Sequence, residues 1–399
     1  MRKDTITTLN LAITSFLVLL GMSLIAPILP FYAETFNVNY TLIGLAVSAF
    51  GIGRILLDMP TGFLAKKYRK KFIMIMGLTL VSFSSFLAGF APNFWILLLA
   101  RFIEGIGSAL YVTTATVYLA LVASPERRGR LMSIYSGFLL LGTIFGPSFG
   151  GILAYFFGIR APFHAYAIVA AIGIIPTLML PQIGSPNKDD SRFKDMTRNA
   201  GKSLLDRNFL LILPAIFTLF FIRTGVRSTL VPLYSENNLK LSVFEVGLLL
   251  TIAGLATAAT MVPIGNISDR IGRRNPLILS LLLAIPFVLW IPFTEDIFTL
   301  ALCIIFYGAL IGLSGPISAY VTDVSPPDQI EIYMGMYRTI GDVGFVVGPI
   351  LMGYIADITS PTGTLVEWPP FFVAIIIMLI SGLILLKAPN IIPKNQDIL

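Results

Sequence analysis

Five arginines, Arg54, Arg101, Arg223, Arg227 and Arg338, interrupt stretches that are otherwise apolar, and three acids, Asp58, Glu104 and Asp342, share those stretches. At mid-membrane each such charge costs about 2.5–3.5 kcal/mol, or about 12–18 kcal/mol for the five arginines together. These side chains therefore face protein or a water-filled path, where ion pairing, proton exchange by a carboxylate and recognition of a charged solute are the chemistries open to them. Helical spacing places Arg101, Glu104, Ser108, Tyr111, Ala115 and Tyr118 on one face. That stripe is too polar for lipid and is expected to line a substrate cavity, with Glu104 the first candidate for proton coupling and Asp342 the second. Arg223 and Arg227 share a face with no acid nearby on their own stretch, which would attract anions. Neutralisation of Arg223 by Asp342 is the competing account.

Other chemistries find few residues. One cysteine, Cys303, and one histidine, His164, cannot make a disulfide framework or a Cys/His metal cluster. His164 is expected near a span end as an interfacial or packed side chain. Gly201-Lys202-Ser203 resembles the end of a phosphate loop, but Met196 stands where the loop needs glycine. A carboxylate-based membrane enzyme and a transporter-like receptor remain open alternatives; a nucleophile with a base, or a HExxH helix, is not offered by the sequence. The expectation is a protein that is not an enzyme and needs no cofactor.

The elements that must position these residues are written in the hydropathy. Of 399 residues, 56% are apolar and 12% charged, and the mean hydropathy is +0.86. A water-soluble fold cannot hide that much apolar surface. Twelve apolar runs near 9–33, 40–64, 72–91, 94–122, 131–157, 162–181, 208–234, 243–268, 275–294, 297–323, 332–358 and 366–387 each suit a bilayer span. The run from Leu9 is too long for a signal peptide and reads as a retained first span. The polar connector 182–207 separates residues 1–181, an N-terminal six-helix bundle, from residues 208–399, a C-terminal one. Of the 28 Lys and Arg residues, 21 fall on the side of the termini, two on the other side and five within spans. This bias places both termini in the cytoplasm. It also accounts for the sequence pI of about 9.4 without a nucleic-acid partner.

The halves repeat one another. Pro60-x-Gly62 recurs as Pro263-x-Gly265, 203 residues on, and Tyr135 through Gly146-Pro147 to Gly151 recurs as Tyr337 through Gly348-Pro349 to Gly353, 202 residues on. A parallel repeat implies two bundles related by a pseudo-two-fold axis along the membrane normal.

The stretch Gly265-Asn-Ile-Ser-Asp269-Arg270-Ile-Gly272-Arg273-Arg274 resembles the signature loop of the major facilitator superfamily at every characteristic position. The first-half loop from Gly62 departs from it, with Lys66 in place of Asp and Arg69 in place of Gly. Arg101-Phe-Ile-Glu104-Gly105 is similar to that family's arginine motif in span four. Gly142-x3-Gly146-Pro147-x2-Gly150-Gly151 looks like the span-five motif of its drug:proton antiporters. The resemblance covers essentially the whole chain. It implies an all-α membrane fold, spans one, four, seven and ten around a central cavity, and gating by Gly62, Asp269, Arg270, Gly272 and Arg273. It also implies a hinge at Gly142, Gly146, Pro147, Gly150, Gly151, Gly348 and Pro349, for which close helix packing is an equal account. In this family spans two and eleven approach each other when the cytoplasmic side closes, so Asp58 would pair with Arg338 and Arg54 with Asp342 in that state. Pairing within each helix, Arg54 with Asp58 and Arg338 with Asp342, is the rival.

These readings converge on a secondary transporter in a prokaryotic plasma membrane. Its expected partners are a small-molecule substrate, protons and the lipid bilayer, and its expected activity is proton-coupled efflux of small amphipathic compounds. Uptake of an anionic metabolite is the alternative.

Overall fold

A computed structural model of the chain describes residues 3–122, 128–182, 206–326, 329–360 and 365–392; most of the expected connector 182–207 lies outside them. The described residues are almost wholly helical and include eleven helical stretches long and apolar enough to cross a membrane, with Pro369–Leu385 a shorter twelfth. We number these α1 (Lys3–Ile25), α2 (Tyr40–Lys67), α3 (Lys70–Gly89), α4 (Phe94–Val122), α5 (Arg128–Phe157) and α6 (Ala161–Leu178). The second half continues with α7 (Arg207–Asn237), α8 (Val243–Ile271), α9 (Arg274–Phe293), α10 (Ile297–Val324), α11 (Ile330–Thr359) and α12 (Pro369–Leu385). Large apolar side chains such as Phe83, Trp95, Ile168 and Phe298 are exposed, as expected of surfaces whose solvent is hydrocarbon.

Local sequence fixes the helix ends. Asn39 accepts a bond from the Leu42 amide at 3.0 Å to cap α2. Ser242 and Glu245 form a reciprocal capping box at the start of α8, at 2.7 and 3.3 Å. Asp296 caps α10 through the amides of Phe298 and Thr299 at 2.7 and 2.9 Å. The bond from Thr299, with that from Phe298, holds its carboxyl below the usual carboxylate range.

The chain forms two compact units, Met1–Lys188 with Lys240–Thr251, and Asp189–Leu239 with Ile252–Leu399. In the first, α1 packs on α5 and α6, α3 on α4 and α6, and α2 on α4. In the second, α7 packs on α11 and α12, and α9 on α12 and α10. The internal repeat is visible in packing. A Cβ on Gly105 would collide with the carbonyl of Phe50, and one on Gly308, 203 residues later, with the carbonyl of Ala253. Likewise Gly146 admits the Leu20 carbonyl, and Gly348 that of Phe221. The stretch Lys240–Thr251 belongs with the first unit because Gly247 seats on the Pro147 carbonyl and Ser148 Oγ donates to Thr251 Oγ1 at 2.6 Å.

Candidate functional site

In the first unit the expected stripe on α4 is buried. Arg101 Nη1 lies 2.5 Å from Glu104 Oε1, with Arg101 5% exposed and Glu104 not exposed at all. The guanidinium sits over the Phe50 ring, 5.1 Å from its centroid. Glu104 Oε2, Arg101 Nε and the Tyr166 hydroxyl are buried without a hydrogen-bond partner among the described residues. Tyr166, on α6, lies within electrostatic range of both charges; an apolar context gave no sequence signal for it. Ser108 and Tyr111 are buried too. Tyr111 and Ser15 hydroxyls meet at 3.0 Å, and Ser15 donates to Tyr135 at 3.1 Å, which joins α1, α4 and α5. The stripe thus forms a polar seam among packed helices, since Ala115 and Tyr118 join the apolar cluster around it.

On α2, Arg54 Nη2 pairs with Asp58 Oδ2 at 3.1 Å within the helix. Thr113 of α4 donates to Asp58 Oδ1 at 2.8 Å, so both carboxylate oxygens are held inside the first unit. Sequence spacing gave the ion pair but not Thr113. Gly62 and Gly265 lie inside α2 and α8, which run on to Lys67 and Ile271. At Gly265 an added Cβ would meet open space, so no turn or close approach demands glycine there. The turn falls at Gly272, whose φ of +90° an L side chain rarely adopts.

The signature loop is a charge cluster. Arg273 reaches Asp269 at 2.6 Å and Asp323 of α10 at 2.9 Å, and donates to Ser268 Oγ at 3.1 Å. Arg270 is exposed. The C-terminal segment closes over this loop. Asn390 donates to the Ile271 carbonyl at 3.1 Å, the Arg273 amide to Ile391 at 3.1 Å, and Arg274 to the carbonyls of Leu386 and Ala388 at 3.0 and 2.9 Å. Tyr320 donates to the Pro389 carbonyl. The first unit carries the same device after α6. Lys71 donates to the carbonyls of Leu178 and Leu180, and Tyr118 to Pro181 at 2.6 Å. The Gln182 side-chain amide lies 3.0 Å from the Arg69 guanidinium, and its oxygen accepts from it once the amide is turned. A cation at the start of the third helix and a tyrosine on the fourth thus bind the strand leaving the sixth. Sequence reasoning missed this clamp, although Tyr118 and Tyr320 stand 202 residues apart.

The second unit gathers the remaining arginines. Arg223 and Arg227 lie in a π-helical segment, Ile222–Leu230, in the middle of α7. Hydroxyls hold the wider turn: Ser228 donates to the Arg223 carbonyl at 3.2 Å and Thr229 to that of Thr224 at 2.9 Å, both five residues back. Arg223 is exposed and Arg227 half-buried. Tyr307 of α10 lies in electrostatic range of both and donates to the Ile222 carbonyl at 3.3 Å. Tyr337 of α11 lies in range of Arg223, Arg338 and Asp342, and Asp342 is 5% exposed. Three arginines and one buried acid therefore share a neighbourhood, an arrangement able to bind an anion.

The glycines of the span-five motif and its repeat sit at close helix contacts. Gly142, Gly146 and Gly150 admit the α1 backbone, Gly151 that of Val243 and Phe244, and Gly348 that of α7. Pro147 and Pro349 sit in unbroken helices. Among the described residues there is no group of His, Cys, Asp and Glu able to hold a metal ion.

Two helical units with membrane-crossing helices, the first holding the buried Arg101–Glu104 pair, define a polytopic membrane protein. The Major Facilitator Superfamily model matches residues 11–237 and 212–397, and the chain belongs to that family. It is 28% identical over 352 residues to an uncharacterized MFS-type transporter of Methanocaldococcus jannaschii, covering 87% of this chain and 90% of the relative. It is 25% identical over 395 residues to Multidrug resistance protein 1 of Bacillus subtilis, covering 98% of each. The fold matches the crystal structure of the nucleoside transporter NupG (D323A mutant) with a TM-score of 0.81 at 17% identity, over 95% of this chain and 99% of that one.

Proposed function

We propose that the protein exports small amphipathic organic compounds across a prokaryotic plasma membrane in exchange for protons, with both termini in the cytoplasm. The observation that carries the proposal is the buried Arg101–Glu104 pair, 2.5 Å apart, with the second carboxylate oxygen unpartnered among the described residues. Burial disfavours a charged carboxylate, and pairing with the arginine offsets that penalty. Uptake of one proton by Glu104 removes the Coulomb attraction and frees Arg101, so a proton can bias the packing of α4 against α2 and α6. Orientation is supported by the Lys/Arg bias, and export by the name of the 25% identical Bacillus subtilis relative, a multidrug resistance protein.

Asp342, beside Arg338 and Tyr337, is the second proposed proton site, and the signature-loop charges together with Arg54, Asp58 and Arg338 are proposed to gate. A second reading, uptake of an anionic metabolite, is favoured by the grouping of Arg223, Arg227 and Arg338 around Tyr307 and Tyr337. A thermal-stability screen of purified protein separates the two, because a ligand of the native state raises apparent stability by mass action. Chemically diverse amphipathic hits support export; stabilisation confined to one family of small anions overturns it in favour of uptake.

A further inference from the structure

The outer surface of the first unit carries a groove that the transport reading does not use. It runs between α3 and α6, has a volume of about 550 Å³, and is walled by Phe83, Phe86, Phe90, His164, Ile168 and Ile174. Phe83 is 59% exposed, Phe86 54% and Ile168 60%. The hydroxyls in its walls are already used: Ser82 donates to the Ala167 carbonyl at 2.8 Å and Thr79 to that of Ile75 at 2.9 Å. A polar solute finds little to bind there, whereas a hydrocarbon chain fits.

One end is built differently. Phe90 and His164 rings lie 4.5 Å apart, Phe86 and Phe90 4.8 Å, and Phe86 and His164 5.9 Å. The imidazole seats on Gly89, where a Cβ would collide with it. One helical turn before His164 stands Arg160, exposed at the N-terminus of α6. Its guanidinium lies 5.8 Å from the centroid of the Tyr32 ring, and Tyr32 is fixed by its bond to the Ala88 carbonyl at 3.1 Å. A cation beside a helix N-terminus favours a phosphate. Thr79 to Phe90 spans about 16 Å at 1.5 Å per residue, which is about half of a hydrocarbon core of ~30 Å. The groove therefore has the depth of one leaflet, and Arg160 stands one helical turn beyond its His164 end.

We infer that this groove is a binding site for a single bilayer phospholipid, with an acyl chain against Phe83, Phe86 and Ile168 and the headgroup phosphate on Arg160. Headgroup and chain are both required: the arginine selects the phosphate and the aromatic wall the chain. The inference depends on membrane embedding and not on the direction or coupling of transport.

Native mass spectrometry of the full chain with phosphatidylglycerol tests it, with diacylglycerol and inorganic phosphate as the two halves of the ligand. Retention of phosphatidylglycerol, a reduction of at least about fivefold in Arg160→Ala, and neither diacylglycerol retention nor competition by inorganic phosphate support the site. Equal retention of diacylglycerol, or no loss in Arg160→Ala, overturns it. Ile168→Trp fills the groove from an exposed position and provides a second variant, with an unchanged elution volume and melting temperature showing that it folds. A phosphatidylglycerol carrying a photoreactive acyl chain should label peptides of α3 and α6 in the wild type and lose that labelling in Ile168→Trp. Labelling spread evenly over the lipid-facing helices overturns the proposal.

Discussion

Arg101 and Glu104 form an ion pair of 2.5 Å on one face of α4, sealed between the Phe50 ring and the buried Tyr166 hydroxyl. Removing one member of such a pair leaves an uncompensated charge, which costs about 3–5 kcal/mol, whereas removing both is far better tolerated. Arg101→Gln should therefore destabilise the purified protein strongly, and Arg101→Gln with Glu104→Gln should recover most of the loss. The measurement is thermal unfolding in detergent; additive losses would show that the two side chains are not coupled.

The clamp on the strand leaving each sixth helix predicts matched effects. Tyr118→Phe and Tyr320→Phe each delete one partly buried hydrogen bond to a proline carbonyl, worth about 1 kcal/mol. They share no partner, so the double variant should lose the sum. In the signature loop, Gly272→Ala should cost more than a lost hydrogen bond. Its φ is +90° and the new Cβ would displace Asn390, and the left-handed conformation adds about 1–2 kcal/mol. Proteolysis after residue 388 should quicken in that variant; an unchanged rate would contradict the clamp.

Much of this arrangement is legible in the sequence, for identifiable reasons. Hydropathy and the Lys/Arg bias give the spans because lipid forces every backbone bond inside a helix. The spacing of Arg101 and Glu104, and of Arg54 and Asp58, gives the ion pairs because neighbours on a helix face meet. The π segment at Arg223 and Arg227 is not legible. Its wider turn is set by hydroxyl bonds from Ser228 and Thr229 and by packing of Gly225 on Gly348, which no local pattern marks. Asn390 is equally silent, because its role exists only once α8 and the segment after α12 meet.

Asp58 tests the proposed inner gate. Within the first unit it is held by Arg54 and Thr113. A gate that uses Arg338 as a further partner predicts that Asp58→Arg shifts the population toward the inward-open form and that adding Arg338→Asp restores it. Cysteine accessibility from each side of the membrane reads the shift. Failure of rescue would contradict the gate and leave Asp58 to its contacts with Arg54 and Thr113.

Arg227 reports on substrate charge. If the second unit's arginine group contacts substrate, Arg227→Ala should weaken binding of anionic compounds by about tenfold, or ~1.4 kcal/mol, and affect cationic compounds much less. Equal losses for both would assign Arg227 to the packing around Tyr307.

Proton coupling through Glu104 is the central claim, and transport by the Glu104→Gln variant in liposomes tests it most directly. With a compound found in the stability screen, wild-type protein should move it against its gradient when a pH gradient is imposed and stop when a protonophore is added. Glu104→Gln should lose that response by at least about tenfold while still exchanging labelled for unlabelled compound at equal pH. Undiminished proton-driven transport in Glu104→Gln would contradict the account.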